Sequence, residues 1–238
     1  MSEEGSLYLI ATPIGNLSDF SPRAQESLSI CDLIACEDTR ITQKLLAHFQ
    51  VKKPLISYRE ENEKKQAQNL ISEIKKGRKI ALVSDAGYPG ISDPGFRLVR
   101  ECRRHGLEIV NVPGANAAIT AIASSGLPTH NFVFLGFPPK GKNAFRNILE
   151  KWSDFKGSLI FYQSKYKMPA TYEILSEVYG NDRFIAVARE MTKIHETFIV
   201  GKIPEVEEKA KQSSQKGEFT VVRSEEHTSE LQSPMYLV

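Results

Sequence analysis

Three short stretches of this 238-residue chain gather side chains that can do chemistry. They are "TPIGNLSD" (12–19), "CEDTR" (36–40) and "SDAGYPGISDPG" (84–95), each directly after a short apolar run. They carry the carboxylates Glu37, Asp38, Asp85 and Asp93 and the glycines Gly15, Gly87 and Gly90. A carboxylate can pair with an ammonium or accept a proton, and a glycine lets main chain approach a ligand closely or take a positive φ. The third stretch is the longest. Nine residues, Ser84 to Ser92, separate an apolar run from the next helical pattern, where about two to six usually suffice. A connection of that length needs a structural reason or a ligand. Structural readings stand beside the chemical ones. Asp93 reads first as a helix cap with Pro94 at the first helical position, and Asp85 equally well as a turn former.

Other chemistries are excluded. A dinucleotide fold wants GxGxxG after its first strand, and no two glycines here stand as GxG. "GFPPKGK" (136–142) fits GxxxxGK, but Asn143 replaces the magnesium-binding Ser or Thr. Pro138 and Pro139 also lack the N–H groups that cradle phosphate. This stretch is expected to be a stiff linker ending in Lys140 and Lys142. His48, His105, His130 and His195 have no metal-ligand spacing. Cys31, Cys36 and Cys102 are an odd number without CxxC and read as reduced packing residues.

The elements that must position these loops alternate. Apolar runs at 7–12, 33–36, 55–58, 79–84 and 108–112 predict strands. Helical patterns lie between them. Ser21 caps one with Pro22 at its first position, and Ala67, Leu70, Ile71 and Ile74 form the apolar face of another that ends at Gly77. This alternation predicts a parallel sheet covered on both faces, and in such sheets ligands sit beyond the carboxyl ends of the strands. Strands are expected again at 131–137, 158–163, 184–189, 197–203 and 218–222. The short link between 184–189 and 197–203 implies an antiparallel pair and a mixed second sheet. The expected division is 1–112 and 113–222, each an α/β domain.

Composition fits a soluble chain, 41% hydrophobic and 25% charged, with a formal net charge of +2. "MSEEGSLYLI" is not a signal peptide, and no run is long enough for a membrane span. Residues 223–238, "RSEEHTSELQSPMYLV", match a translated short-read sequencing adapter followed by a six-base index. They are expected to be foreign, with the native end missing. Without them the net charge is +4, which permits a nucleic-acid partner.

"LYLIATPIGNLSDFSPRAQESL", "DLIACEDTR", "ALVSDAGYPGISDPGFRLV", "VPGANAAITAIASSGL", "FLGFPPK" and "REMTKIHE" together resemble the ribosomal RNA small-subunit methyltransferase I family. The likeness spans about residues 6–222. That family belongs to the tetrapyrrole-methylase-like class (class III) of S-adenosylmethionine (SAM) enzymes. The resemblance implies two α/β domains with SAM between them, no metal, a cytoplasmic homodimer and 16S rRNA as partner. The implied reaction is 2′-O-methylation of a cytidine conventionally numbered 1402. A tetrapyrrole carbon methylase and a non-catalytic RNA- or nucleotide-binding module remain alternatives. SAM would be held by Pro13, Gly15, Asp85, Ala86, Gly87, Pro113, Gly114 and Ala115. Candidate bases are Glu37, Asp38 and, in "REMTK", Glu190 or Lys193. Arg40, Lys44, Arg59, Lys140, Lys142, Arg146, Lys165 and Lys167 supply a basic face for RNA. Two departures stand out: "YQSKYK" (162–167) where the family shows a "YESPHR"-like stretch, and Arg59 where it tends to have His.

Overall fold

The computed structural model describes residues 5–212 and 216–225. The chain divides into two compact units at Asn116/Ala117. The boundary lies past the expected Val112, so "PGANA" begins with the first unit. Its packing explains this: a Cβ on Gly114 would lie 3.0 Å from that of Ala11.

The first unit holds strands β1 (Ser6–Ile10), β2 (Leu33–Cys36), β3 (Leu55–Ser57), β4 (Ile80–Val83) and β5 (Glu108–Val112). They form one parallel sheet in the order β3-β2-β4-β1-β5. Helices α1 (Pro22–Ile30), α2 (Thr39–His48), α3 (Glu63–Lys75) and α4 (Phe96–Arg104) connect them. Local chemistry sets several ends. The Ser21 hydroxyl accepts from the Ala24 N–H at the start of α1. Asp38 accepts from the Arg40 N–H at the start of α2. Gly77 has φ +92 just beyond α3. Ala67, Leu70, Ile71 and Ile74 are all buried, packed with Leu7, Leu82 and Leu98 on one side of the sheet. Ile10, Leu28, Ile34, Val83 and their neighbours fill the other side.

The second unit contains α5 (Ala117–Ser124), β6 (Phe132–Phe134), α6 (Lys142–Lys151), β7 (Ser158–Ser164), α7 (Met168–Tyr179), β8 (Phe184–Arg189), β9 (Thr197–Lys202), α8 (Ile203–Lys211) and β10 (Glu218–Arg223). Its sheet order is β6-β7-β10-β8-β9. β6 and β7 are parallel, and the other pairs are antiparallel, β8–β9 among them. The sheet is mixed, as expected.

β10 runs one residue past Val222 and buries Arg223. Of the segment expected to be foreign, 226–238 lies outside the described residues. The three cysteines are free and buried. Burial pushes the Cys31 thiol up to about 12 and that of Cys102 to about 11, which makes both poor nucleophiles.

Candidate functional site

Because β1, β2 and β4 are parallel neighbours, the loops that follow them leave the same sheet edge. Thr12 and Gly87 form an antiparallel bridge there. The Thr12 N–H donates to Gly87 O at 2.8 Å, and the Gly87 N–H returns to Thr12 O at 3.1 Å. The Thr12 and Ser84 hydroxyls reinforce the junction, donating to Ser84 O and Gly87 O respectively. A Cβ built on Gly87 would lie 3.5 Å from Ile14 Cγ2 and 3.7 Å from Ala115 O. "TPIG", "SDAG" and "PGANA" therefore meet at one glycine. Its φ of +89 is a conformation that a β-branched residue resists. "CEDTR" joins through the Asp38 N–H, which donates to Asp85 Oδ1 at 3.0 Å. The long connection after β4 also has a structural reason. Gly95 has φ +153, and its Cβ would meet Gly90 N at 2.9 Å, so the loop folds back against itself.

Asp93 is not the cap of α4. The N-cap is Gly95, and no side chain caps it through the usual contact. Glu63, at the start of α3, supplies the acceptor instead. Its Oε1 takes the N–H groups of Gly95 (3.1 Å) and Arg97 (3.3 Å), and Oε2 pairs with Arg97 Nε at 3.1 Å. Asp93 is thereby released to the carboxylate group at the sheet edge. Burial, then Glu37, raises its pKa to about 6, with the neighbouring Ser84 side chain offsetting part of the shift. Glu37 and Asp85 are also raised above ordinary values, each by burial first. Asp85 adds to the shift of Glu37, and the Asp38 N–H partly offsets that of Asp85. Sequence reasoning placed Asp93 at a helix start. A second acidic residue on the same loop as Asp85 was the available signal.

Asp38 differs from its neighbours. Arg40 grips its carboxylate through Nε and Nη2, and the Arg40 N–H adds a third bond. These bonds hold its pKa well below the usual range. Asp38 is thus a cap and an arginine anchor, a poor base. Among the carboxylates brought to this edge, Glu37, Asp85 and Asp93 bind protons more tightly than usual.

Lys193 lies in the second unit. Its ammonium bonds Glu190 Oε1 and Glu218 Oε2, both at 2.9 Å. Burial works to lower its pKa, but these carboxylates outweigh it and raise the net value. A lysine base needs the opposite shift, so these ion pairs favour the structural reading of Lys193 over the catalytic one. Glu190 is held as an anion: burial would raise its pKa, and Lys193 and the Glu218 N–H carry it below normal.

The basic residues divide likewise. Arg40 is clasped by Asp38, and Arg59 Nε donates to Glu37 O at 2.8 Å, so both stand beside the carboxylate loops. In the second unit Lys142 pairs with Glu173 at 2.7 Å, and Arg146 pairs with Glu177. These two are tied to α7. Lys140 is exposed. Among the described residues, no group of three or more His, Cys, Asp or Glu side chains could hold a metal ion.

Comparison with known proteins places these features in a family. Residues 6–207 match the tetrapyrrole (corrin/porphyrin) methylases. "Ribosomal RNA small subunit methyltransferase I" of Halalkalibacterium halodurans is 45% identical over 92% of this chain and 76% of its own length. The protein of that name from Thermotoga maritima is 44% identical over 92% of this chain and 98% of its own. The crystal structure of uroporphyrin-III-C-methyltransferase from Thermus thermophilus shares the fold. Its TM-score is 0.64 at 18% identity, covering 93% of this chain and 94% of that one. The methyltransferase CobJ gives 0.65 at 21%, with coverage of 92% and 94%. The chain belongs to the tetrapyrrole methylase family and, within it, to the ribosomal RNA small subunit methyltransferase I family.

Proposed function

We propose that this chain methylates small-subunit ribosomal RNA, transferring the methyl group of SAM to the ribose 2′-hydroxyl of the cytidine conventionally numbered 1402 in 16S rRNA. The observation that carries the reading is identity of 42–46% to relatives from eight organisms, all bearing one name. The same reading takes the protein to be a cytoplasmic homodimer. No helix among the described residues is long and apolar enough to cross a membrane.

The residues at the sheet edge fit SAM. SAM supplies a sulfonium-activated methyl group, flanked by an ammonium and a carboxylate. Asp85, with Asp93 beside it, offers negative charge to the ammonium. The exposed residues Ala86, Pro113 and Gly114 give main chain that a carboxylate can approach, and Gly87 turns that chain without a side chain in the way. Pro13, Gly15 and Ala115 complete the wall formed where the three loops meet.

Glu37 is the residue we assign to take the ribose proton. It lies at the carboxyl end of β2, and burial beside Asp85 raises its proton affinity toward neutrality, where a base is most effective. Such a base contributes roughly 10²–10⁴-fold. Alignment of the reacting groups can supply up to about 7–11 kcal/mol. Arg40 and Arg59 stand next to Glu37 and Asp38, where they can meet backbone phosphate without occupying the base. The test is incubation of the purified protein with methyl-labelled SAM, offering small ribosomal subunits and a tetrapyrrole acceptor in parallel. Label in the rRNA is expected; label in the tetrapyrrole alone would overturn the reading.

A further inference from the structure

The second unit carries a cleft of about 210 Å³ at the start of α6 and α7. Lys140, Lys167 and Tyr166 line its rim, and Phe145, Ile174 and Gln163 its interior. Its lining combines cationic, aromatic and carboxamide side chains. Lys140 and Lys167 are cationic. Gly141, the N-cap of α6, and Lys142, its first residue, also line the cleft, and no side chain caps that helix end, so its positive pole adds to the field. The nearby carboxylate of Glu173 is neutralised by Lys142. Tyr166 is 83% exposed, an unusual position for an aromatic ring of this size. Lys165 Nζ stands 4.6 Å from the ring centroid, leaving the ring as a cation-backed stacking platform. Gln163 is only 4% exposed. Its Nε2 donates to Thr171 Oγ1 and its Oε1 accepts from the Ser164 N–H. A carboxamide has a second N–H and a second lone pair beyond those two bonds, enough to read one base edge.

We infer that this cleft binds one unpaired nucleotide of the RNA substrate, with the base stacked on Tyr166 against the Phe145–Ile174 floor, and the backbone phosphates on Lys140 and Lys167. The inference rests on the rRNA reading above and adds the requirement that the substrate be single-stranded at this point. A base can stack on Tyr166 only when it has left a helix.

The test is fluorescence anisotropy of a short labelled single-stranded RNA on the full-length protein, with SAM affinity measured in parallel by calorimetry. Tyr166→Ala is expected to weaken RNA binding about fivefold or more, while Tyr166→Phe keeps it. Lys140→Ala with Lys167→Ala is expected to lower the log–log salt slope by about 1.4 units, the value for two single-strand phosphate contacts. SAM affinity should stay at the parent value in all three variants. Parent-like RNA affinity in Tyr166→Ala, or a duplex that competes as well as the single strand, overturns the inference. Failure of the rRNA reading looks different: the parent and every variant transfer no methyl group to RNA, whatever the cleft binds.

Discussion

The main-chain N–H of Asp38 donates to Asp85 Oδ1 at 3.0 Å, tying the loop after β2 to the loop after β4. One carboxylate oxygen therefore fixes the spacing of two loops, and the rest of the group keeps its charge for other work. Asp85→Asn retains an acceptor for Asp38 and removes only the charge. SAM affinity is expected to fall about 10- to 100-fold, the size of one charged hydrogen bond, with Tm nearly kept. Asp85→Ala should lose both. Calorimetry on the two variants checks this, and equal SAM affinity in the parent and Asp85→Asn would remove Asp85 from the ammonium site.

Gly87→Val tests the junction of the three loops. Space for a Cβ exists, since Ile14 Cγ2 lies 3.5 Å from it, so the penalty is conformational. At φ +89 a β-branched residue costs about 1–3 kcal/mol. Chemical denaturation should report that loss, and calorimetry should report SAM affinity lost in the folded protein. A variant of parent stability would mean that the loop relaxes to another φ.

Glu37 and Lys193 are expected to separate cleanly. Glu37→Gln should slow single-turnover methylation roughly 10²–10⁴-fold with SAM affinity kept, and remove the acid limb of the pH–rate profile. That limb should lie above the ordinary glutamate range, because burial and Asp85 raise Glu37. Lys193→Ala breaks bonds to Glu190 and Glu218. It should lower Tm and leave the limb in place. An unchanged profile in Glu37→Gln would leave alignment alone as the source of rate.

Asp93 links stability to pH. Its folded pKa of about 6 exceeds the 3.8 of an unperturbed Asp. Between those values the folded state holds more protons than the unfolded state, so stability falls as pH rises through the window. Asp93→Asn should be the more stable protein above pH 6 by at most about 3 kcal/mol, the difference vanishing below pH 4. Urea midpoints across this range measure it, and parallel curves for the two proteins would contradict the assignment.

Arg223 carries a different cost. It lies on the face of β10 that also bears Phe219 and Val221, both core residues. Its guanidinium stands 4.6 Å from the Tyr179 ring centroid and donates to Trp152 O and Gly157 O, and Nε has no partner. Burial lowers its pKa. Arg223→Leu should stabilise the protein by about 1–3 kcal/mol, because an apolar residue on a core face avoids the desolvation of a charge. A lower Tm would show that the carbonyl contacts outweigh that cost.

What the sequence disclosed was local. Ser21 and Gly77 mark helix ends through contacts a few residues away, and the 3.6-residue period marks the face of α3. The parallel and mixed sheets follow from the order of the elements. What stayed hidden depends on partners far along the chain. Glu63 caps α4 from 32 residues away, which frees Asp93. Glu173 and Glu177 reach back 31 residues to Lys142 and Arg146. Glu218 reaches Lys193 across 25. Each of these ion pairs changes what a side chain can do, and none has a signal in spacing.

Methyl transfer to a ribose oxygen of the small-subunit RNA can be read nucleotide by nucleotide. Its most direct measurement is mass-spectrometric mapping of 16S rRNA after incubation of unmodified small subunits with the purified protein and isotopically labelled SAM. One labelled nucleotide is expected, a cytidine carrying the methyl on its 2′-oxygen, at the position conventionally numbered 1402, and none with Glu37→Gln in the same time. Label on a base carbon or nitrogen, or an unlabelled RNA from protein that binds SAM normally, would contradict it.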